Sequence, residues 1–261
     1  MLIATGGTIA MQESATGGAT PALGASALAG GSGSGTSRAV ELVTRDLFAK
    51  PSASIALGDV AQIAAAIDDA QADGMDGVII AHGTDTMAET AFALGLIGRW
   101  SIPVVLTGAM RHNGVAGADG PANIAAAMAV ASDPVARLGE PLLVFGDEIH
   151  LASLVHKAHG SRLHAFSSAP LGPIGSVKEG RAQILLYPAR RLPTLNAGAA
   201  IPPVPILLVG SDLEPESVEI FAADSIAGLV IAAAGGGHVS ARAVETLTAL
   251  AARKPVILTS R

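Results

Sequence analysis

Short apolar runs of strand length alternate along this chain with longer Ala-rich stretches of helical period, and no other feature limits the fold as strongly. The runs at residues 2–5, 77–81, 103–106, 142–145, 206–209, 229–232 and 256–258 are candidate strands. Strands that are apolar throughout are buried on both faces, so the pattern predicts an α/β fold whose larger N-terminal domain is doubly wound around a mostly parallel sheet. Three helices are marked by their starts. Asp59 opens one with Val60, Ile63 and Ile67 as its buried stripe, and Asp119-Gly120-Pro121 opens another with an acidic cap and an early proline. Thr86 and Glu89 have capping-box spacing, after which Met87, Ala91 and Leu94 share a face.

Two stretches break the rhythm. Residues 11–36 are rich in Gly, Ser, Ala and Thr and offer little to bury, so a mobile surface loop is expected there. Residues 188–204 carry Pro188, Pro193, Pro202 and Pro203 and read as a linker. It divides an N-terminal domain, 1–187, from a smaller C-terminal α/β domain, 205–261. The chain stops at Arg261, just beyond a strand, so this second domain is expected to be incomplete and the chain a fragment or an early-terminated product.

Composition narrows the partners. The 261 residues are 50% hydrophobic with a formal net charge of −6, which argues against nucleic acid, since binding phosphates needs a basic face. A small polar molecule is the expected ligand. Charged residues, Gly or Pro interrupt every apolar run well before the roughly 20 residues of a spanning helix, so no membrane partner is expected. With no cysteine, thiol catalysis, disulfides and Cys-ligated zinc are excluded. The N-terminus lacks the basic and apolar regions of a signal peptide, and the expected location is cytoplasmic.

In parallel sheets, ligands bind beyond the carboxyl ends of strands. Thr5-Gly6-Gly7-Thr8 follows the first candidate strand and His82-Gly83-Thr84-Asp85-Thr86 the second, each placing a threonine at a glycine turn where backbone can approach a substrate. A threonine hydroxyl attacks a carbonyl only if a base takes its proton. Lys157, one of four lysines, is a candidate base; lowering its pKa from about 10.4 to about 7 or 8 would cost its protonated form roughly 4 kcal/mol. Helix caps and an ordinary Gly-Gly turn explain the same residues equally well on chemistry alone.

The strings themselves carry more. IATGGTIA at 3–10, HGTDTM at 82–87, PVVLTGAMR at 103–111, ADGPANI at 118–124, HKAHG at 156–160 and PLGPIG at 170–175 together resemble, in order, the bacterial-type L-asparaginases, threonine amidohydrolases that convert asparagine to aspartate and ammonia. The resemblance implies Thr8 as nucleophile, and Thr84 as a second catalytic threonine completed by Lys157 and Asp85. It further implies that Asp85 accepts the substrate α-amino group and that Ser52 holds its α-carboxylate. The backbone around Thr84 and Ala109 would form an oxyanion pocket, a contribution of about 3 to 4 kcal/mol where single donors have been deleted in other enzymes. L-glutamine is the second candidate substrate, no cofactor or metal is implied, and the family assembles as homotetramers, an assembly in doubt for a shortened chain.

Two departures stand against the pattern. The family's mobile loop carries a tyrosine, but Tyr187 is the only one here, and the corresponding position is Thr20. Lid closure and the protonation of Thr8 are therefore expected to be impaired, with low or altered turnover. His238, after the Gly235-Gly236-Gly237 turn, stands where family members commonly place a substrate-contacting asparagine. These departures motivate an alternative reading, a non-catalytic chain that at best binds aspartate or asparagine. A tRNA-linked amidotransferase subunit is a third, disfavoured by the lack of a basic or tRNA-facing segment. His150, His156, His159 and His164 match no HExxH pattern and are not expected to hold a metal. The triple glycine lacks the rest of a phosphate-loop motif and reads as a tight turn.

Overall fold

Each central strand sends alternate residues to opposite faces, and here both faces are apolar. The computed structural model describes residues 1–13, 19–21, 23–31, 39–190, 192–195 and 201–261. In its larger compact unit, Met1–Ala197, the chain runs β1 (Leu2–Ala4), β2 (Met11–Glu13), β3 (Ala19–Pro21), α1 (Ala25–Gly31), β4 (Thr44–Asp46), α2 (Leu57–Ala72), β5 (Val78–Ala81) and α3 (Met87–Ile97). It continues through β6 (Val104–Thr107), α4 (Gly120–Ala131), β7 (Leu142–Phe145), β8 (Glu148–Leu151), β9 (His156–Lys157), β10 (Phe166–Ser167), β11 (Gly175–Lys178) and β12 (Arg181–Ile184).

The main sheet has the order β12-β11-β8-β7-β6-β5-β1-β4. β4, β1, β5, β6 and β7 are parallel, while β8, β11 and β12 run antiparallel at one edge. Leu2, Ile79, Val105 and Val144 join one core beneath α1 and α4, and Ile3, Ile80, Leu106 and Leu143 join the other beneath α2 and α3. At roughly 1.5 to 3 kcal/mol per fully buried large aliphatic side chain, this two-sided burial is what stabilises the sheet.

The antiparallel edge and β4 lie outside the expected strand set. β8, β11 and β12 are half polar and are set by hairpin turns, whereas β4, Thr44-Arg45-Asp46, is polar throughout and pairs in parallel with β1 at the opposite edge. Gly146 and Asp147 have φ of 56° and 64°, and Glu179 and Gly180 have φ of 51° and 68°. Consecutive positive φ values are those of the tight turns that suit the twist of paired strands.

The expected loop over 11–36 is corrected in part. β2 and β3 pair antiparallel, and α1 buries Ala25 and Leu28 against the sheet, its first N–H held by Asp46 Oδ1 at 2.7 Å. Small residues sufficed because α1 lies close to the sheet. The remainder of that stretch, residues 14–18, 22 and 32–36, lies outside the described residues.

The second compact unit, Gly198–Arg261, contains β13 (Ile206–Leu208), α5 (Pro215–Glu219), β14 (Leu229–Ala233), α6 (Val244–Ala251) and β15 (Val256–Ser260). Its three strands are parallel in the order β13-β14-β15, and Val218, Leu247 and Leu250 of the helices pack on Leu229 and Ile231. His238 bridges back to Ala234 in the turn after β14, where Gly235 and Gly237 take φ of 52° and 103°. Among the described residues, no helix is long and apolar enough to cross a membrane.

Candidate active site

β1 and β5 are neighbours in the sheet, yet the chain leaves them toward opposite sides, β1 toward β4 and β5 toward β6. Such a switch point opens a crevice at the carboxyl ends of the strands. Both glycine turns lie there. Thr5 Oγ1 donates to Ala81 O at 2.9 Å, tying the first turn to the end of β5. Gly7 has a φ of 83°, and a Cβ on it would stand 2.2 Å from Gly83 Cα. Only two glycines can come this close, and their contact brings the half-exposed Thr8, first residue of the 3-10 turn Thr8–Ala10, beside the Thr84 turn.

Ser52 closes the same corner. A Cβ on Gly83 would lie 2.8 Å from Ser52 Oγ, the Asp85 N–H donates to that oxygen at 3.2 Å, and Thr86 Oγ1 donates to Ser52 O at 2.7 Å. The expected capping box at Thr86 is therefore not formed. Thr86 does stand at the N-cap of α3, but its hydroxyl serves the Ser52 turn instead of its own helix. A neighbouring ion pair anchors this turn: Asp59 accepts from Lys50 Nζ at 2.6 Å and from the Ala56 N–H at 2.9 Å, and these bonds hold its carboxyl below the usual range. Asp59 is thus the third residue of α2 and not its opening residue.

Lys157 arrives from a distant part of the sequence. β9 carries it, paired antiparallel with β10 so that Phe166 is its register partner, and Phe166 packs on Phe145 at the end of β7 with ring centroids 5.1 Å apart. Held this way, Lys157 Nζ donates to Thr84 Oγ1 at 2.9 Å and to Asp85 Oδ1 at 2.6 Å. The Lys157 side chain is 14% exposed and that of Asp85 71% exposed, so the lysine is enclosed while the carboxylate keeps an open side for a cationic group. Thr84 itself is buried.

Ala109 is fully buried in the turn after β6, where Gly108 lies against His82 O and Thr84 Cγ2. The residues that hold these turns were not among the expected site residues. His82 is buried, with Nδ1 2.7 Å from Gly83 O and Nε2 3.1 Å from Thr90 Oγ1, and burial pushes its pKa down against the pull of the Gly83 carbonyl. Asp119 and Asn123 bind the backbone of the Ala109 turn. Asp119 is at the N-cap of α4, where its carbonyl accepts the Asn123 N–H at 3.0 Å, but its side chain makes no bond to that helix's backbone N–H groups. A signal for the pair was present in ADGPANI, where a carboxylate and an amide stand one helical turn apart at a helix start.

His150 is buried on β8, its Nδ1 2.9 Å from Ser168 Oγ and its Nε2 3.4 Å from Glu148 Oε2. Among the described residues no three His, Asp or Glu side chains converge on a point where a metal could sit. Thr20 lies in β3 opposite Gln12; its side chain and residues 14–18 lie outside the described structure.

Comparison with known proteins bears on this arrangement. The family model "Asparaginase, N-terminal" matches residues 1–190. A probable L-asparaginase of Deinococcus radiodurans is 38% identical over an alignment of 265 residues, covering 100% of this chain and 78% of that protein. A glutaminase-asparaginase of Pseudomonas aeruginosa is 35% identical over 187 residues, 69% of this chain and 51% of its own length, so the match spans about half of that relative. Among solved structures, a probable cytoplasmic L-asparaginase from Campylobacter jejuni superposes with a TM-score of 0.90 at 27% identity, over 100% of this chain and 82% of that one.

Proposed function

Because the chain belongs to the asparaginase family, we propose that it hydrolyses L-asparagine to L-aspartate and ammonia through an acyl-threonine intermediate. The observation that carries this reading is the Thr84–Lys157–Asp85 cluster, in which one lysine bonds a threonine hydroxyl at 2.9 Å and a carboxylate at 2.6 Å beside the Gly7–Gly83 contact. Residues 1–187 act as the catalytic domain in this reading, with 188–204 as a linker to 205–261.

Thr8 Oγ attacks the side-chain amide carbon; the O–C bond forms, the C–N bond breaks, and the threonine proton leaves with the nitrogen as ammonia. Water then adds to the ester. Thr84 takes a water proton as Lys157 takes that of Thr84, the ester C–O bond breaks, and the proton returns from Lys157 to Thr8. Asp85 orients Lys157 and receives the substrate α-ammonium, Ser52 receives the α-carboxylate, and backbone at Thr84 and Ala109 receives the reacting amide. Self-association and a cytoplasmic location belong to the same reading, supported by the exposed Leu171, Leu185, Leu186 and Tyr187 and by the Campylobacter relative's description as cytoplasmic.

One observation favours a second reading, in which the chain binds aspartate or asparagine without turnover: no tyrosine exists near Thr20. Ammonia release from asparagine separates the two. The first reading expects release; a folded protein that binds aspartate but releases none supports the second. Asparagine against glutamine is decided by the same assay with each amide, since one methylene is worth only about 1 to 3 kcal/mol in a pocket.

A further inference from the structure

The first turn of α4 touches several segments of the site. Asp119 Oδ2 accepts the Met110 N–H at 3.0 Å and Asn123 Nδ2 at 3.1 Å, and Asp119 Oδ1 accepts the Arg111 N–H at 2.9 Å. Asn123, buried one turn later, also donates Nδ2 to Gly108 O at 2.9 Å and accepts the Gly146 N–H on Oδ1 at 3.1 Å. Donors are needed on one side of Asn123 and an acceptor on the other, which suits an amide and neither a carboxylate nor an aliphatic side chain. Gly120, the first residue of α4, lies against Ile9, the neighbour of Thr8, and against Ala109.

Peptide planarity turns these bonds into a statement about Ala109. Both of its peptide bonds are trans, and in a trans peptide the N–H and C=O point in opposite directions. The Met110 N–H is directed at Asp119, so the Ala109 C=O points away from α4. Gly108 O is directed at Asn123, so the Ala109 N–H points away from α4 as well. One residue thus presents an acceptor and a donor away from the helix, in a turn whose Gly108 lies against Thr84. A primary carboxamide carries the complementary pair, an accepting oxygen and a donating NH2, whereas a carboxylate only accepts.

We propose that Asp119 and Asn123 are positioning residues that aim both polar groups of Ala109 at the substrate's carboxamide, so that the site favours an amide over the corresponding acid. This rests on the amidohydrolase reading above. Asp119 contributes by fixing the Met110 and Arg111 amides, and Asn123 by fixing the Gly108 carbonyl and joining the turn to the end of β7.

The test uses the nearly isosteric Asp119→Asn, whose new NH2 faces N–H groups it cannot accept from, with Asn123→Ala as the second variant. In Asp119→Asn, kcat for asparagine falls by roughly 10-fold or more through misplacement of the amide. Binding of aspartate, anchored at Asp85 and Ser52, stays within about two-fold of wild type, and at least one of the Met110 and Arg111 amides, the one that faces the new NH2, exchanges faster than in wild type. An unchanged kcat overturns the proposal, as does a parallel loss of kcat, aspartate binding and thermal stability in both variants, which would mark general damage to the fold. If wild type itself releases no ammonia, the amidohydrolase reading fails on its own, and unchanged exchange at Met110 and Arg111 in Asp119→Asn overturns the positioning role separately.

Discussion

Gly7 and Gly83 are where a single methyl group would decide whether the site exists. A Cβ on Gly7 meets the Gly83 backbone at 2.2 Å, with a φ of 83° that other residues adopt only under strain. Gly7→Ala is therefore expected to destabilise by about 3 kcal/mol or more, lowering the melting temperature by roughly 6 to 12 °C, which calorimetry measures directly. Thr20 is the opposite case, a position where adding atoms should help. If the missing loop tyrosine limits turnover, Thr20→Tyr raises kcat for asparagine, and an unchanged or lower kcat in steady-state assays counts against that account. Both glycine turns were legible in the sequence as strand-following motifs. What could not be read was their mutual approach, because it depends on Ser52 and Lys50 filling the space around them.

Elements of the fold differ in how they respond to acid, and the signs can be worked out. His82 on the β5 turn and His150 on β8 have pKa values lowered from 6.5 mainly by burial. The unfolded chain binds protons that the folded chain refuses, so stability falls as pH drops below 6.5. Asp59 in α2, lowered from 3.8 mainly by its bond from Lys50, adds a second loss as pH falls below 3.8. Glu140, before β7, is raised from 4.5 by burial and acts the other way, losing stability as pH rises above 4.5. Thermal scans should show stability falling from pH 6.5 toward 5, with a smaller fall in His82→Asn, which keeps a donor for Gly83 O; an identical fall in that variant would refute the assignment to His82. The parallel strands and α2, α3 and α4 were legible because continuous apolar runs and buried stripes are sequence-local. β8, β11 and β12 were not, since four half-polar residues are too short a run to stand out and the signal lay in the Gly146-Asp147 and Glu179-Gly180 turns. The caps misled for a related reason: Thr86 and Asp119 stand at helix starts, but tertiary partners claim their oxygens.

Across the whole molecule, the larger unit gathers groups that the chain separates widely. Lys157 reaches Thr84 and Asp85 over 73 and 72 residues, a convergence no local pattern could reveal; six ordered strings made it expected, and the pairing of β9 with β10 shows how it is held. The smaller unit forms its own three-stranded parallel sheet with α5 and α6 on its core. On the proposed reading, the Thr84–Lys157–Asp85 cluster performs amide hydrolysis. The most direct measurement is ammonia release from L-asparagine by the wild-type chain and by Lys157→Met, side by side. Release by wild type and a loss of about 100-fold or more in a folded Lys157→Met that still binds aspartate are the expected results. Equal release by the two proteins, or none from a folded wild type that binds aspartate, would contradict that reading.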